Sequence, residues 1–92
     1  MSVTVHLSGH LKPYTGGLLE VRLAGDHLTV ADALNSLWKE HAALRDRVLT
    51  EQGEIRQHVN IFADGRDVKR AKGLNTQLRA GELHIFNAVS GG

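Results

Sequence analysis

Leu19-Glu20-Val21-Arg22-Leu23-Ala24-Gly25-Asp26-His27-Leu28-Thr29-Val30-Ala31-Asp32-Ala33-Leu34-Asn35-Ser36-Leu37-Trp38 holds two periodicities, and the change between them decides the fold. Leu19, Val21 and Leu23 alternate with Glu20 and Arg22, the period-two pattern of a half-buried strand. After Gly25-Asp26-His27 the apolar positions become Val30, Ala33, Leu34, Leu37 and Trp38, which share one face of a 3.6-residue helix. Thr29 supplies an N-cap, and Asp32 three positions on makes a capping box with the shorter acid. The helix is expected to reach about His41, with a further turn around Leu44–Leu49.

Toward the N-terminus, Val3, Val5 and Leu7 alternate with Thr4 and His6, a second strand. Lys12-Pro13-Tyr14-Thr15-Gly16-Gly17 separates the two with turn chemistry, so they are expected to pair as a hairpin. Beyond the helix, residues 50–54 lack periodicity and read as an exposed loop. Val59-Asn60-Ile61-Phe62-Ala63 alternates again and meets Asp64-Gly65, a hairpin signal, with a short partner strand at Arg66–Val68. Leu74 and Leu78 are spaced like one helical turn on the core, and Ala80-Gly81-Glu82 leads into a last strand, Leu83–Phe86.

A hairpin, a helix across one sheet face and a late strand returning beside the first make a β-grasp arrangement. The expected class is α+β, with a mixed sheet of four to five strands and one main helix packed on one face. Residues 1–88 are expected to form the domain, and 89–92 a flexible tail ending in Gly91-Gly92. Val3, Val5, Leu7, Val21, Leu34, Leu37, Trp38, Ile61, Leu83 and Ile85 are the expected core.

A chain of 92 residues leaves room for one core and little concave volume for an enzyme pocket. No cysteine is present, which removes disulfides, thiolate metal sites and cysteine nucleophiles. A net charge of +1, with cations and acids interleaved, argues against nucleic acid. The small cluster Lys69, Arg70 and Lys72 reads as a solvated loop, though with Arg79 it could also steer an acidic partner. No 18-residue apolar run and no signal-peptide pattern occurs, so a cytoplasmic protein away from membranes is expected.

The six histidines, His6, His10, His27, His41, His58 and His84, show no metal-ligand spacing and read as surface or strand-edge residues. No serine sits in a nucleophile elbow. Neither catalytic residues nor a metal site are expected. Gly16-Gly17 lacks the lysine and strand–loop–helix setting of a phosphate loop and reads as a turn.

The distinctive feature is the ending Ala88-Val89-Ser90-Gly91-Gly92. Roughly one chain in 200 would end in two glycines by chance at ~7% glycine usage. Without Cβ atoms, such a tail can thread a narrow channel and present an unhindered carboxylate to another protein's active site. The alternative is a frayed end of no consequence. If Leu83 and Ile85 face inward, His84 and Phe86 face outward; Phe62 joins them if Val59, Ile61 and Ala63 face the core. Exposed aromatics on one sheet face suit an interface anchor. Either Phe62 or Phe86 could instead fill an edge of the core.

With that element order, the tail resembles the ending of the MoaD/ThiS ubiquitin-like sulfur carriers, commonly Ala-Val-Ala-Gly-Gly. Ser90 stands where alanine is usual. The length, the Lys12–Gly17 loop and Val59-Asn60-Ile61 look closest to the branch that includes the mycobacterial cysteine-biosynthesis carrier. The resemblance implies that an E1-like adenylyltransferase of the MoeB/ThiF type, using ATP and Mg²⁺, adenylates the Gly92 carboxylate. A sulfur donor then displaces AMP, and the Gly92 thiocarboxylate feeds a client enzyme making cysteine, molybdopterin, thiazole or a related metabolite. The carrier itself binds no cofactor, is no enzyme and visits its partners as a monomer. Val89, Ser90 and Gly91 form the leash, and the face around Phe86, with Phe62 and His84, docks partners. In the resembled family the corresponding face binds partners, with an apolar residue at the position matching Phe86. Two other readings stay open: a ubiquitin-like modifier joined to lysines through Gly92, and a β-grasp interaction domain with an inert tail.

Overall fold

The computed structural model describes residues 2–87. Its strands are β1 (Ser2–Leu7), β2 (Glu20–Ala24), β3 (Val59–Ala63), β4 (Arg66–Asp67) and β5 (Glu82–Asn87); its α-helices are α1 (Val30–Glu40) and α2 (Ala42–Val48). The sheet order is β2-β1-β5-β3-β4, with β1 parallel to β5 and every other pair antiparallel. This is the β-grasp fold: the last strand lies between the first and third, and α1 covers one sheet face.

Period two sorts the sheet as the alternation requires. Val3, Val5 and Leu7 of β1, Val21 and Leu23 of β2, Val59, Ile61 and Ala63 of β3, and Leu83 and Ile85 of β5 are buried. Val30, Ala33, Leu34 and Leu37 of α1 meet them. Each fully buried aliphatic side chain contributes roughly 1.5–3 kcal/mol by leaving water. The capping box is formed: the Asp32 N–H donates to Thr29 Oγ1 at 3.2 Å, and the Thr29 N–H donates to Asp32 Oδ2 at 3.2 Å. Thr29→Ala is expected to cost about 1 kcal/mol. In a domain this small that lowers Tm by about 4–8 °C, read by thermal melting.

Several expectations are corrected. α1 is the one main helix on the sheet face, and the further turn expected around Leu44–Leu49 is a short helix, α2, that starts at Ala42 and buries Leu44 and Val48. The Lys12–Gly17 stretch is not a plain turn, because a 3₁₀ helix spans Gly9–Tyr14 and buries Leu11. Arg47 of α2 lies 4.6 Å over the ring of its Tyr14. Leu19 precedes β2 and is 44% exposed, so the inward alternation starts only at Val21. β4 stops at Asp67, and Val68 opens a 3₁₀ turn that puts its side chain in the core. Leu74 lies in a separate 3₁₀ turn, Gly73–Asn75, whereas Leu78 is buried beyond it in extended chain whose N–H bonds the Leu28 carbonyl at 2.9 Å. Trp38 packs against the core only partly buried. Among the described residues no helix is long and apolar enough to cross a membrane.

The β3–β4 turn ties the sheet's far end together. Asp64 and Gly65 both have positive φ, 52° and 85°, as a tight hairpin turn demands. The Asp64 carboxylate accepts N–H bonds from Arg79 at 2.7 Å, Ala80 at 3.1 Å and Glu82 at 3.0 Å. Partial burial pushes this carboxyl up, but the donors from Arg79, Glu82 and Ala80, helped by the charge of Arg66, outweigh it and hold it below its ordinary 3.8. A carboxyl whose folded pKa is depressed stabilises fully above the unfolded value and loses that contribution as pH falls through the folded one. Urea midpoints should therefore drop on acidification below pH 3.8, and Asp64→Asn should shrink that drop.

Candidate functional site

The open face follows from register. Glu20 pairs with His6, His6 with His84, His84 with Phe62 and Phe62 with Asp67, so one row of outward side chains crosses all five strands. Parallel pairing of β1 with β5 sets the two imidazoles face to face, with ring centroids 4.3 Å apart and planes 14° from parallel. His6 Nε2 lies 2.8 Å from Glu82 Oε2, and its Nδ1 lies 3.6 Å from Glu20 Oε1. Antiparallel pairing of β3 with β5 does the same for the phenyl rings: Phe62 and Phe86 stack with centroids 5.6 Å apart.

Phe62 and Phe86 are half-buried and His84 is exposed. The structure therefore brings together all three residues the sequence reading named for this face. Neither phenylalanine fills an edge of the core. What results is an apolar patch of two rings, bordered by stacked imidazoles and the carboxylates of Glu20 and Glu82. An apolar centre with a polar rim is how protein interfaces are built. Among the described residues no three His, Asp or Glu side chains converge as a metal site.

His6 was missed by sequence reasoning, which treated it as one more surface histidine. Period two does place it outward on the first strand, and the returning last strand was foreseen. Only the register that sets His6 beside His84 turns these into one feature. Leu18 and Leu19, 47% and 44% exposed, were missed as well. They lie at the sheet end where β5 finishes, because the Leu7 N–H bonds the Leu19 carbonyl and the Ser8 N–H bonds the Ile85 carbonyl. The expected leash and modified residue, Val89, Ser90, Gly91 and Gly92, lie outside the described residues. In sequence they follow directly on Phe86, Asn87 and Ala88.

Fold and face together define a small ubiquitin-like protein of β-grasp architecture with an outward aromatic patch on its sheet. The ThiS family profile matches residues 5–92, and the chain belongs to that family. It is 32% identical to the sulfur carrier protein CysO of Mycobacterium tuberculosis over 95 aligned positions that cover all of both chains. The crystal structure of SAMP1 from Haloferax volcanii superposes with a TM-score of 0.81 at 35% identity, covering all of both chains. CysO of Amycolatopsis orientalis, crystallised as a BexX/CysO complex, superposes with a TM-score of 0.85 at 28% identity, over 98% of this chain and 99% of that one. The chain thus has a sulfur-carrier or ubiquitin-like role and, like the small carriers of its family, is not an enzyme.

Proposed function

We propose that the chain is a sulfur carrier whose Gly92 carboxylate is the reacting group. An E1-like adenylyltransferase of the MoeB/ThiF type transfers AMP from ATP, with Mg²⁺, onto that carboxylate and releases pyrophosphate. The carboxylate oxygen, a poor leaving group, thereby becomes part of a good one. Sulfide, or a persulfide followed by thiol reduction, attacks the carbonyl and expels AMP, which leaves a Gly92 thiocarboxylate. Its sulfur is a nucleophile that a client enzyme spends in biosynthesis of cysteine, molybdopterin, thiazole or a related metabolite.

The family match running through Gly92, on a chain aligned end to end with a sulfur carrier, carries this reading. The face of Phe86, Phe62 and His84 serves it by docking the partner, with Phe86 as the anchor nearest the tail in sequence. Gly91 and Gly92 bring no side chain into the partner's active site, and Ser90 and Val89 bring small ones.

Incubation with such an adenylyltransferase, ATP, Mg²⁺ and sulfide should exchange one oxygen for sulfur at Gly92, read by intact mass. The chain lacking Gly91-Gly92 should stay unmodified. The likeness to SAMP1 supports a second reading, conjugation to lysines through Gly92. An isopeptide-linked adduct in place of the sulfur exchange would identify that outcome, since both begin from the same adenylate.

A further inference from the structure

The end of the sheet farthest from where β5 finishes carries an open cleft of about 510 Å³ whose charged lining residues are Asp64, Arg66, Lys72 and Arg79. The sequence around it is strongly asymmetric in charge. Residues 63–80 contain Arg66, Lys69, Arg70, Lys72 and Arg79 against Asp64 and Asp67 alone. With a whole-chain charge of +1, the rest of the protein is net acidic.

Both local acids are spent internally. Asp64 accepts the N–H groups of Arg79, Ala80 and Glu82, and Asp67 accepts the Lys69 N–H at 2.9 Å. Among the described residues the ion pairs within 4 Å belong to His6 and Arg45; Lys72 forms none, and Arg66 acts on Asp64 only through its charge, without such a contact. The Arg79 guanidinium is hydrogen-bonded to a neutral partner, with its Nη2 donating to Gln77 Oε1 at 3.4 Å. Positive charge is therefore concentrated at a concave site, on a molecule whose remaining residues are net acidic.

We propose that this cleft docks an acidic segment of a partner protein, an extended stretch bearing two or three Asp or Glu carboxylates. Guanidinium forks match carboxylates in geometry as well as charge. The backbone N–H groups at the cleft that could cradle a phosphate are occupied: those of Arg79 and Ala80 by Asp64, and that of Thr76 by the Gly73 carbonyl. Among the described residues, no aromatic ring that could stack a nucleic-acid base lines the cleft. The volume lies within the range of a ligand pocket and exceeds the need of one small anion. This docking point is independent of the chemistry at Gly92, and its test reads peptide binding rather than a mass change.

Fluorescence anisotropy of a labelled Glu-rich hexapeptide, titrated with the full chain, tests the proposal. Wild type should bind it at least about tenfold more tightly than the matching Gln hexapeptide. The triple variant Arg66→Gln, Lys72→Gln, Arg79→Gln should lose about tenfold or more, and Lys12→Gln, Lys39→Gln, Arg45→Gln within about twofold. Equal losses in the two variants would overturn the proposal, as would equal affinity of wild type for both peptides. So would displacement of the peptide by inorganic phosphate at matched ionic strength, or tighter binding of an oligothymidylate of equal charge. The comparison of peptides needs only the wild-type chain and stands if the triple variant fails to fold.

Discussion

Gly81→Ala is expected to remove about 3 kcal/mol of stability, a large share of the ~5–14 kcal/mol usual for a domain of this length. Gly81 has φ +74°, where an alanine backbone costs roughly 1–2 kcal/mol. The added Cβ would also lie 2.6 Å from the Ser2 carbonyl oxygen, which is backbone and has no rotamer to escape into. Relief requires β1 and the start of β5 to separate, yet the Thr4 N–H bonds the Gly81 carbonyl at 2.8 Å across that junction. Crowding of this kind adds roughly 1–3 kcal/mol. Gly53→Ala is the control: its φ is +82° but nothing stands within 4 Å of the new Cβ, so only the backbone penalty of roughly 1–2 kcal/mol remains. Urea unfolding of both variants checks the difference. Equal losses would show that the β1–β5 junction is not tight.

Phe86→Ala is expected to weaken binding to the proposed adenylating partner by about 30-fold or more, the 2 kcal/mol that marks an interface hot spot. Phe86 stacks on Phe62 but is not part of the buried core, so its removal should cost less stability than a core truncation. Leu28→Ala, at a position 75% exposed and remote from the open face, should leave binding unchanged. Isothermal titration of the two variants decides it. Wild-type affinity in Phe86→Ala would move the docking surface elsewhere, and the exposed pair Leu18 and Leu19 near the end of β5 would be next to examine.

The sheet and α1 were legible because burial on one face writes itself into spacing. Val3, Val5 and Leu7 state a strand, and Val30, Ala33, Leu34 and Leu37 state a helix, whatever the rest of the chain does. Thr29 and Asp32 mark the helix start because the orphan N–H groups there need acceptors. α2 was only half visible, since in seven residues Leu44 and Val48 are its whole buried face. The 3₁₀ segments left no periodic trace; Leu11 and Val68 are buried through single turns whose position depends on the packing around them.

The candidate site divides the same way. That His84, Phe86 and Phe62 face outward could be read from alternation. That His6 stacks on His84, or Phe62 on Phe86, could not, because register between strands distant in sequence is set by the assembled sheet. The basic cleft was visible only as a loop-like run of charge; the turn at Asp64 folds Arg66, Lys72 and Arg79 around one concavity. The Gly91-Gly92 ending, by contrast, is a message carried by sequence alone.

The most direct measurement is mass spectrometry of the protein from its native host, alkylated at once to trap a thiocarboxylate. Fragmentation of the tryptic peptide beginning at Ala80 would locate the change. Sulfur in place of one oxygen at Gly92 is the predicted result. A Gly92 carboxylate that stays unmodified in cells starved for sulfur metabolites, with no conjugate in its place, would contradict the account.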